Sequence, residues 1–308
     1  MEHNNLKQET VWLLNEKYGG QLTDKAKKDI TRLEKGEPVD YVTGHKNFCG
    51  CKIDLRYKPL IPRDETEFWI NKAIQDINNN GSGVVFRETL VRPAAHSLRL
   101  GKISPKANHT ILPANTHEKQ LPTRYLKALD VFAGSGCCGV AVLKSIPNSH
   151  CDFADIDDNC LKQIRFNLKL NSIDKKRYRI IKSDVFSALS PINYKLPTTN
   201  YDIILANPPY VGLGEKIKVQ KSVLKFEPKQ ALFAKNNGLY FVEKFLKQAK
   251  SHLASKGVIY MEFGYNQKKD IEKLLKKFGY QNFEFHKDQF NKWRFVKICI
   301  KKYQYHYY

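Results

Sequence analysis

The sequence predicts an α/β fold: a Rossmann-like, doubly wound and mostly parallel sheet, preceded by a small N-terminal helical region and a β-hairpin connector. Three observations carry that expectation. From Lys127 onward short apolar runs alternate with stretches of helical spacing, the pattern of a parallel sheet covered on both faces. The first run ends in a glycine turn, Gly134-Ser135-Gly136, and enters a helix. The second ends on Asp155, an acidic strand end of the kind that closes the nucleotide-binding half of a doubly wound sheet.

Composition bounds the rest. A chain of 308 residues sits near the upper end for one domain, so one main domain with a small appendage is expected. With 42% apolar residues it can bury a core. No apolar run reaches the roughly 18 residues of a membrane-spanning helix, so a soluble chain without a membrane partner is expected. The net charge of +21 favours an anionic neighbourhood, such as nucleic acid, a ribosome or an acidic protein. Seven cysteines, with no C-x-x-C pair and no nearby His at ligand spacing, argue against a disulfide framework and a zinc site. The first residues, with Glu2 and Glu9, carry no legible targeting peptide.

Residues 1–40 read as the helical region. Leu6, Val11, Leu14 and Tyr18 fall near 3–4 spacing, and Gly19-Gly20 stops the first helix. Residues 41–62 read as the connector, punctuated by Gly44, Gly50 and Pro59. The main domain spans 63–301. It opens with helical spacing over 65–77, through Phe68, Ile70, Ile74 and Ile77. Residues 78–124, rich in Asn, Gly, Ser and Pro without a sustained period, read as an inserted surface loop. Strands follow in KALDVFA, CDFADI, RIIKSDVF, YDIILAN and GVIYMEF, with helices over 140–146, 161–170, 241–253 and 268–278. In the third helix Val242, Phe245, Leu246, Ala249 and Leu253 share a face. Phe283–His286 and Arg294–Ile300 lack a helix between them and predict an antiparallel pair ending the sheet.

Glycines at the first strand end let the backbone approach a ligand, and the helix start presents free N–H groups. An acidic side chain at Asp155 can accept hydrogen bonds from both hydroxyls of a ribose. These features alone do not separate NAD from S-adenosylmethionine. The lack of an Arg-rich clamp and of a Walker lysine favours a ligand without phosphates.

The run Asn207-Pro208-Pro209-Tyr210 directly follows an apolar strand. Its two prolines lack N–H groups, so nearby carbonyls are left as acceptors. The Asn207 oxygen adds another, and Tyr210 offers an aromatic face. Together they can hold a planar NH₂ group by both hydrogens. Amide and exocyclic amine nitrogens are poor nucleophiles, so orientation toward a reactive methyl, not deprotonation, supplies most of the acceleration.

With these residues in view, the chain resembles the glutamine N5-methyltransferases that modify peptide chain release factors. The resemblance covers about residues 32 to 300 apart from the insertion. It includes Arg32 to Gly44 with Phe48-Cys-Gly50, and the run Leu60-Ile-Pro-Arg63-Asp-Glu65-Thr66-Glu67. Phe226-Glu227-Pro228 through Leu232, Gly238-Leu239, Glu262-Phe-Gly264, Gln267, Asp288 and Arg294 also match. It implies a class I methyltransferase with a seven-stranded sheet whose last strand is antiparallel. The donor would be S-adenosylmethionine, with no metal. The partner would be a class I release factor, methylated at the glutamine of its Gly-Gly-Gln loop by direct transfer. By position, the cofactor site would be Phe132, Ala133, Gly134, Ser135, Gly136, Asp155, Asp184, Val185 and Asn207. Asn207, Pro208, Pro209 and Tyr210 would hold the substrate, with Asn207, Pro208 and Tyr210 catalytic. Arg63 and Glu65–Glu67 would organise the connector and the wall of the site.

Three departures stand out. Phe132 replaces a glycine, Asp64 replaces a second proline, and Val185 replaces a large aromatic against the adenine. The last would cost about 1–3 kcal/mol of stacking. The N-terminal helical region is also shorter than in bacterial relatives. The stretch from Lys221 to Leu232 is similar to fungal mitochondrial members, which points to the mitochondrial matrix, with the cytoplasm as the other expectation. The rival activity is N6-adenine or N2-guanine methylation of DNA or RNA, which uses the same Asn-Pro-Pro-Tyr chemistry and suits the charge.

Overall fold

The computed structural model describes residues 2–79, 125–189 and 200–300. The N-terminal region holds helices α1 (Glu2–Tyr18), α2 (Asp24–Glu34) and α3 (Val39–Thr43). Thr23 caps α2, its hydroxyl accepting from the Ala26 N–H at 3.1 Å. Leu13, Leu33 and Val42 form a small core of their own. Arg32 forks onto Glu37 with two bonds of 2.8 Å and reaches the Tyr41 carbonyl, fastening α2 to α3. Tyr41 therefore lies in a helix, and the hairpin begins later, as β1 (His45–Phe48) and β2 (Cys51–Asp54). Helix α4 (Asp64–Asn79) includes residues 78 and 79. The rest of the expected insertion, 80–124, lies outside the described residues.

The main domain continues with β3 (Leu126–Val131), α5 (Cys137–Ser145), β4 (Ser149–Asp155), α6 (Asp158–Leu170), β5 (Tyr178–Lys182) and β6 (Tyr201–Ala206). After β6 come β7 (Val211–Gly212), α7 (Lys221–Phe226), β8 (Phe233–Ala234), α8 (Tyr240–Ala249), β9 (Leu253–Glu262), α9 (Lys268–Lys277), β10 (Asn282–Lys287) and β11 (Trp293–Cys299). Helix α8 stops at Ala249, so Leu253, expected on its apolar face, opens β9 instead. Lys250–His252 tighten into a 3₁₀ turn between them, as helix ends commonly do.

Seven strands form one sheet in the order β10-β11-β9-β6-β3-β4-β5. β9, β6, β3, β4 and β5 run parallel, and β11 inserts antiparallel between β9 and β10. This is the sheet of a class I S-adenosylmethionine-dependent methyltransferase. The buried strands alternate between two cores. Ala128, Ile203, Leu205 and Tyr260 pack with α4, α5 and the hairpin, whereas Leu129, Val131, Ile204 and Met261 pack with α8 and α9. Strand order reverses at β3, whose two neighbours β4 and β6 carry the chain to opposite edges. Such a switch point opens a crevice at the carboxyl ends of the strands. In register Val131 faces both Ala154 and Ala206. The next residues of the three strands, Phe132, Asp155 and Asn207, therefore emerge together at that edge.

The hairpin is docked by amides. Gln163, Asn167 and Asn171 are buried at four-residue intervals along α6. Asn167 accepts from the Asp54 N–H at 2.9 Å and donates to the Asp54 and Ser135 carbonyls. Asn171 pairs in the same way with the Lys52 N–H and carbonyl, and Gln163 accepts from the Tyr57 N–H at 2.9 Å. One turn-and-a-bit of helix advances about 6 Å, and two residues of strand about 6.6 Å, so alternate edge groups of β2 meet successive amides. Asn167→Ala is expected to strand the Asp54 and Ser135 backbone groups and lower unfolding free energy by about 2–4 kcal/mol. Urea titration of the full chain would test it, and a change under 0.5 kcal/mol would refute the docking role.

Candidate active site

A cavity of about 620 Å³ occupies the switch point. Its floor is the first strand end and glycine turn, and it takes in Phe132, Ala133, Gly134 and Ser135. Asp155, Asp184, Val185 and Asn207 also line it. Gly136 does not. It is the residue before α5, at φ 78°. Gly134, Gly136 and Gly139 together stand at G-x-G-x-x-G spacing. The third position is needed for packing, since a Cβ on Gly139 would lie 2.3 Å from the Phe153 ring.

Asp155 is fixed by backbone donors. Its Oδ2 accepts from the Gly134 N–H at 2.8 Å and its Oδ1 from the Asp157 N–H at 2.9 Å. The remaining lone pairs stay available for hydroxyls of a ligand. Burial pushes this carboxyl above its ordinary range, against the pull of those N–H groups. Behind the turn, Asp130 is buried and accepts from the Gly139 N–H at 2.9 Å. Burial pushes its carboxyl up to about 8, with the Asp155 charge adding to the effect. Phe132, standing where relatives of the expected type have glycine, adopts φ 60°. That backbone costs a side-chain-bearing residue about 1 kcal/mol or more.

Two aromatic rings that sequence reasoning missed share the cavity with Val185. Tyr240 and Phe241, from the first turn of α8, both line the cavity. Phe241 meets Phe132 edge-on at 6.0 Å between centroids. The cavity thus has aromatic lining from another element although Val185 supplies none. The signal is present in Gly238-Leu239, which the resemblance includes, whereas by spacing Phe241 reads only as the start of a helix. Asp184 forms an ion pair with Lys244 of α8 at 2.5 Å, a partner equally unforeseen.

On the opposite side stands the connector. Leu60 and Pro62 line the cavity, with Phe226 and Pro228 facing them. Glu227 joins the two segments: its Oε2 accepts from the Ile61 N–H at 3.0 Å and its Oε1 from Arg63 at 2.7 Å. Arg63 and its neighbours are structural anchors as well as wall. Glu67 accepts from the Cys49 N–H, and Glu65 faces Arg294 at 3.7 Å.

The four residues of Asn207-Pro208-Pro209-Tyr210 divide. Asn207 and Pro209 line the cavity, whereas Pro208 and Tyr210 do not, as the side-to-side alternation of extended backbone requires. Tyr210 therefore presents no ring to the cavity. Its hydroxyl donates to Glu262 at 3.0 Å, and its carbonyl accepts from Gln267 at 2.9 Å, so that carbonyl is not free. Gly238 permits the arrangement, since a Cβ there would lie 2.0 Å from the Tyr210 carbonyl oxygen. Burial and the Glu262 charge push the Tyr210 hydroxyl well above its ordinary range, which keeps it protonated.

Comparison with known proteins agrees with this geometry. Residues 115–233 match the family model described as the methyltransferase small domain. The chain is 28% identical over 283 residues to a release factor glutamine methyltransferase of Lactococcus lactis, covering 90% of this chain and 84% of that protein. A release factor glutamine methyltransferase of Flavobacterium psychrophilum is also 28% identical, covering 88% of this chain and 79% of its own. Among solved structures, the hMettl16 catalytic domain in complex with MAT2A 3'UTR hairpin 6 superposes with a TM-score of 0.54. It covers 90% of this chain and 81% of its own at 13% identity, a likeness of fold.

The cavity fits S-adenosylmethionine, the donor that the resemblance implies. Asp155 would supply acceptors for a ribose, and Phe241, Tyr240 and Val185 would offer apolar lining to a base. Asp155→Asn would set an NH₂ group against a backbone N–H and is expected to weaken S-adenosylhomocysteine binding about tenfold or more by calorimetry. Wild-type affinity should also fall on acidification, with a midpoint above the ordinary 3.8. For Asp130 the folded pKa of about 8 exceeds the unfolded 3.8. Its contribution to stability is therefore full below pH 3.8 and lost as pH rises to about 8. Asp130→Asn should flatten that decline in denaturation curves taken between pH 5 and 9, and an unchanged slope would contradict the assignment.

Proposed function

We propose that this chain, a member of the release factor glutamine methyltransferases and an S-adenosylmethionine-dependent enzyme that methylates a release factor, modifies N5 of the glutamine in the Gly-Gly-Gln loop of a class I release factor. One observation carries the reading. A single cavity joins the cofactor turn at Gly134 and Asp155 to the connector wall at Leu60 and Pro62, and Asn207 lines it between β6 and that wall. A glutamine side chain is a planar carboxamide on a flexible apolar stem. The prolines and Leu60 suit the stem, and the Asn207 side chain suits the amide.

Bound in the cavity, S-adenosylmethionine supplies an electrophilic methyl on a sulfonium sulfur. The protein's part is positional. Asn207 accepts from the substrate NH₂ and limits its rotation. Pro209, flanked by the apolar residues of the connector, keeps water from the amide. The methylated amide nitrogen carries one proton too many and is strongly acidic, so it gives that proton to solvent without a resident base, and the rate depends on alignment. Tyr210, held protonated beside Glu262, is unsuited to removing a proton.

The rival, methylation of an exocyclic amine in RNA or DNA, draws on the charge of +21. Tritium from labelled cofactor found in nucleic acid and not in protein would favour it. Asn207→Ala is expected to retain S-adenosylhomocysteine binding in part and to lower methyl transfer by at least a hundredfold. Mass spectrometry of Gly-Gly-Gln peptides from a class I release factor incubated with enzyme and cofactor would measure the variant beside the unchanged protein. Normal turnover by the Asn207 variant would refute the assignment.

A further inference from the structure

At the cavity wall that Thr66 and Asn207 both line, a run of hydrogen bonds determines which end of the Asn207 amide is left to a substrate. Asn207 Nδ2 lies 3.3 Å from the hydroxyl of Thr66, and that hydroxyl lies 2.7 Å from Glu262 Oε2. The indole N–H of Trp69 meets the same Oε2 at 2.7 Å. Thr66, Trp69 and Glu262 are all buried. From these contacts we infer that Thr66 is a positioning residue for methyl transfer, holding the Asn207 carboxamide so that Oδ1 is presented to the substrate NH₂.

Proton counting leads there. An indole N–H can only donate, so Oε2 must be an acceptor. With Glu262 ionised, as its Thr66, Trp69 and Tyr210 donors and the Arg294 charge favour, Oε2 only accepts and carries no proton. The Thr66 hydroxyl has a single hydrogen, and an oxygen that only accepts takes it. The Thr66 oxygen is then left as an acceptor toward Asn207. Only an N–H of the Asn207 amide can satisfy it, which points Nδ2 at Thr66 and leaves Oδ1 to accept from the substrate. With the amide reversed, two acceptor oxygens would face each other at 3.3 Å, and a donor NH₂ would oppose the NH₂ of the substrate. Tyr210 and Arg294 extend the same polarity: Arg294 approaches the Tyr210 hydroxyl at 3.5 Å, and that hydroxyl donates to Glu262 Oε1.

The inference rests on the reading of Asn207 as the group that accepts from the substrate amide, and the experiment separates the two. Thr66→Val keeps the shape of the side chain and removes the hydroxyl, Thr66→Ser restores it, and Thr66→Ala carries the expectation of the valine variant without its bulk. In the full chain, Thr66→Val and Thr66→Ala should lower kcat on a class I release factor by roughly tenfold to a hundredfold. S-adenosylhomocysteine affinity should stay within about threefold, and Thr66→Ser should recover most of kcat. The side-chain NH₂ resonances of Asn207, assigned in ¹H–¹⁵N spectra, should shift in the valine and alanine variants and return in serine. Unchanged Asn207 resonances, or a loss of kcat matched by an equal loss of cofactor affinity, would overturn the positioning role. Resonances that move while Asn207→Ala still turns over normally would instead reject the substrate reading and leave the hydrogen-bond polarity standing.

Discussion

The buried carboxyl group of Glu262 holds together four segments that the chain delivers separately. Thr66 and Trp69 come from α4, Glu262 from the end of β9, Tyr210 from the loop after β6, and Arg294 from β11. Burial alone would push this carboxyl far toward neutrality, and the donors and Arg294 oppose that. A buried acceptor with three donors is stable only while every partner stays in place, because each lost bond strands a group away from water. The cost of disorder at any one segment is thereby shared by the other three, and Asn207 inherits the rigidity of the whole arrangement.

A second constraint acts on the connector. A two-stranded hairpin is marginal by itself, and β1 and β2 form no part of the main sheet. The amides of α6 supply the outer edge of β2 with side-chain partners in place of a third strand. Glu227 secures the following segment by the Ile61 N–H and Arg63. These two clamps turn a loop-like stretch into a fixed wall. Without it the switch-point crevice would hold a cofactor but would have no second side against which to align a substrate.

Much of this was legible locally. The apolar strands, the glycine turn and Asp155 are read from periods and residue types that bear directly on backbone geometry. The tetrapeptide after β6 was recognisable too, yet its four side chains do not act as a group. Asn207 and Pro209 face the cavity while Tyr210 is turned to Glu262, a division set by the direction in which the strand emerges. The extent of α8 was overread, since Leu253 continues the apolar pattern of the helix although the chain has already entered a strand. A single apolar residue fits either period, and only the neighbouring strand decides.

Sequence by itself determined the doubly wound sheet and the strand edge at which Phe132, Asp155 and Asn207 emerge, because each depends on neighbours close along the chain. Tertiary structure alone decided that Phe241 and Tyr240 line the same cavity as Val185, that Glu227 clamps Arg63, and that Thr66 meets Asn207. Those pairings span more than 50 residues each. They arise from the way helices fold back on the sheet, and no local period encodes which distant side chain will fill a given space.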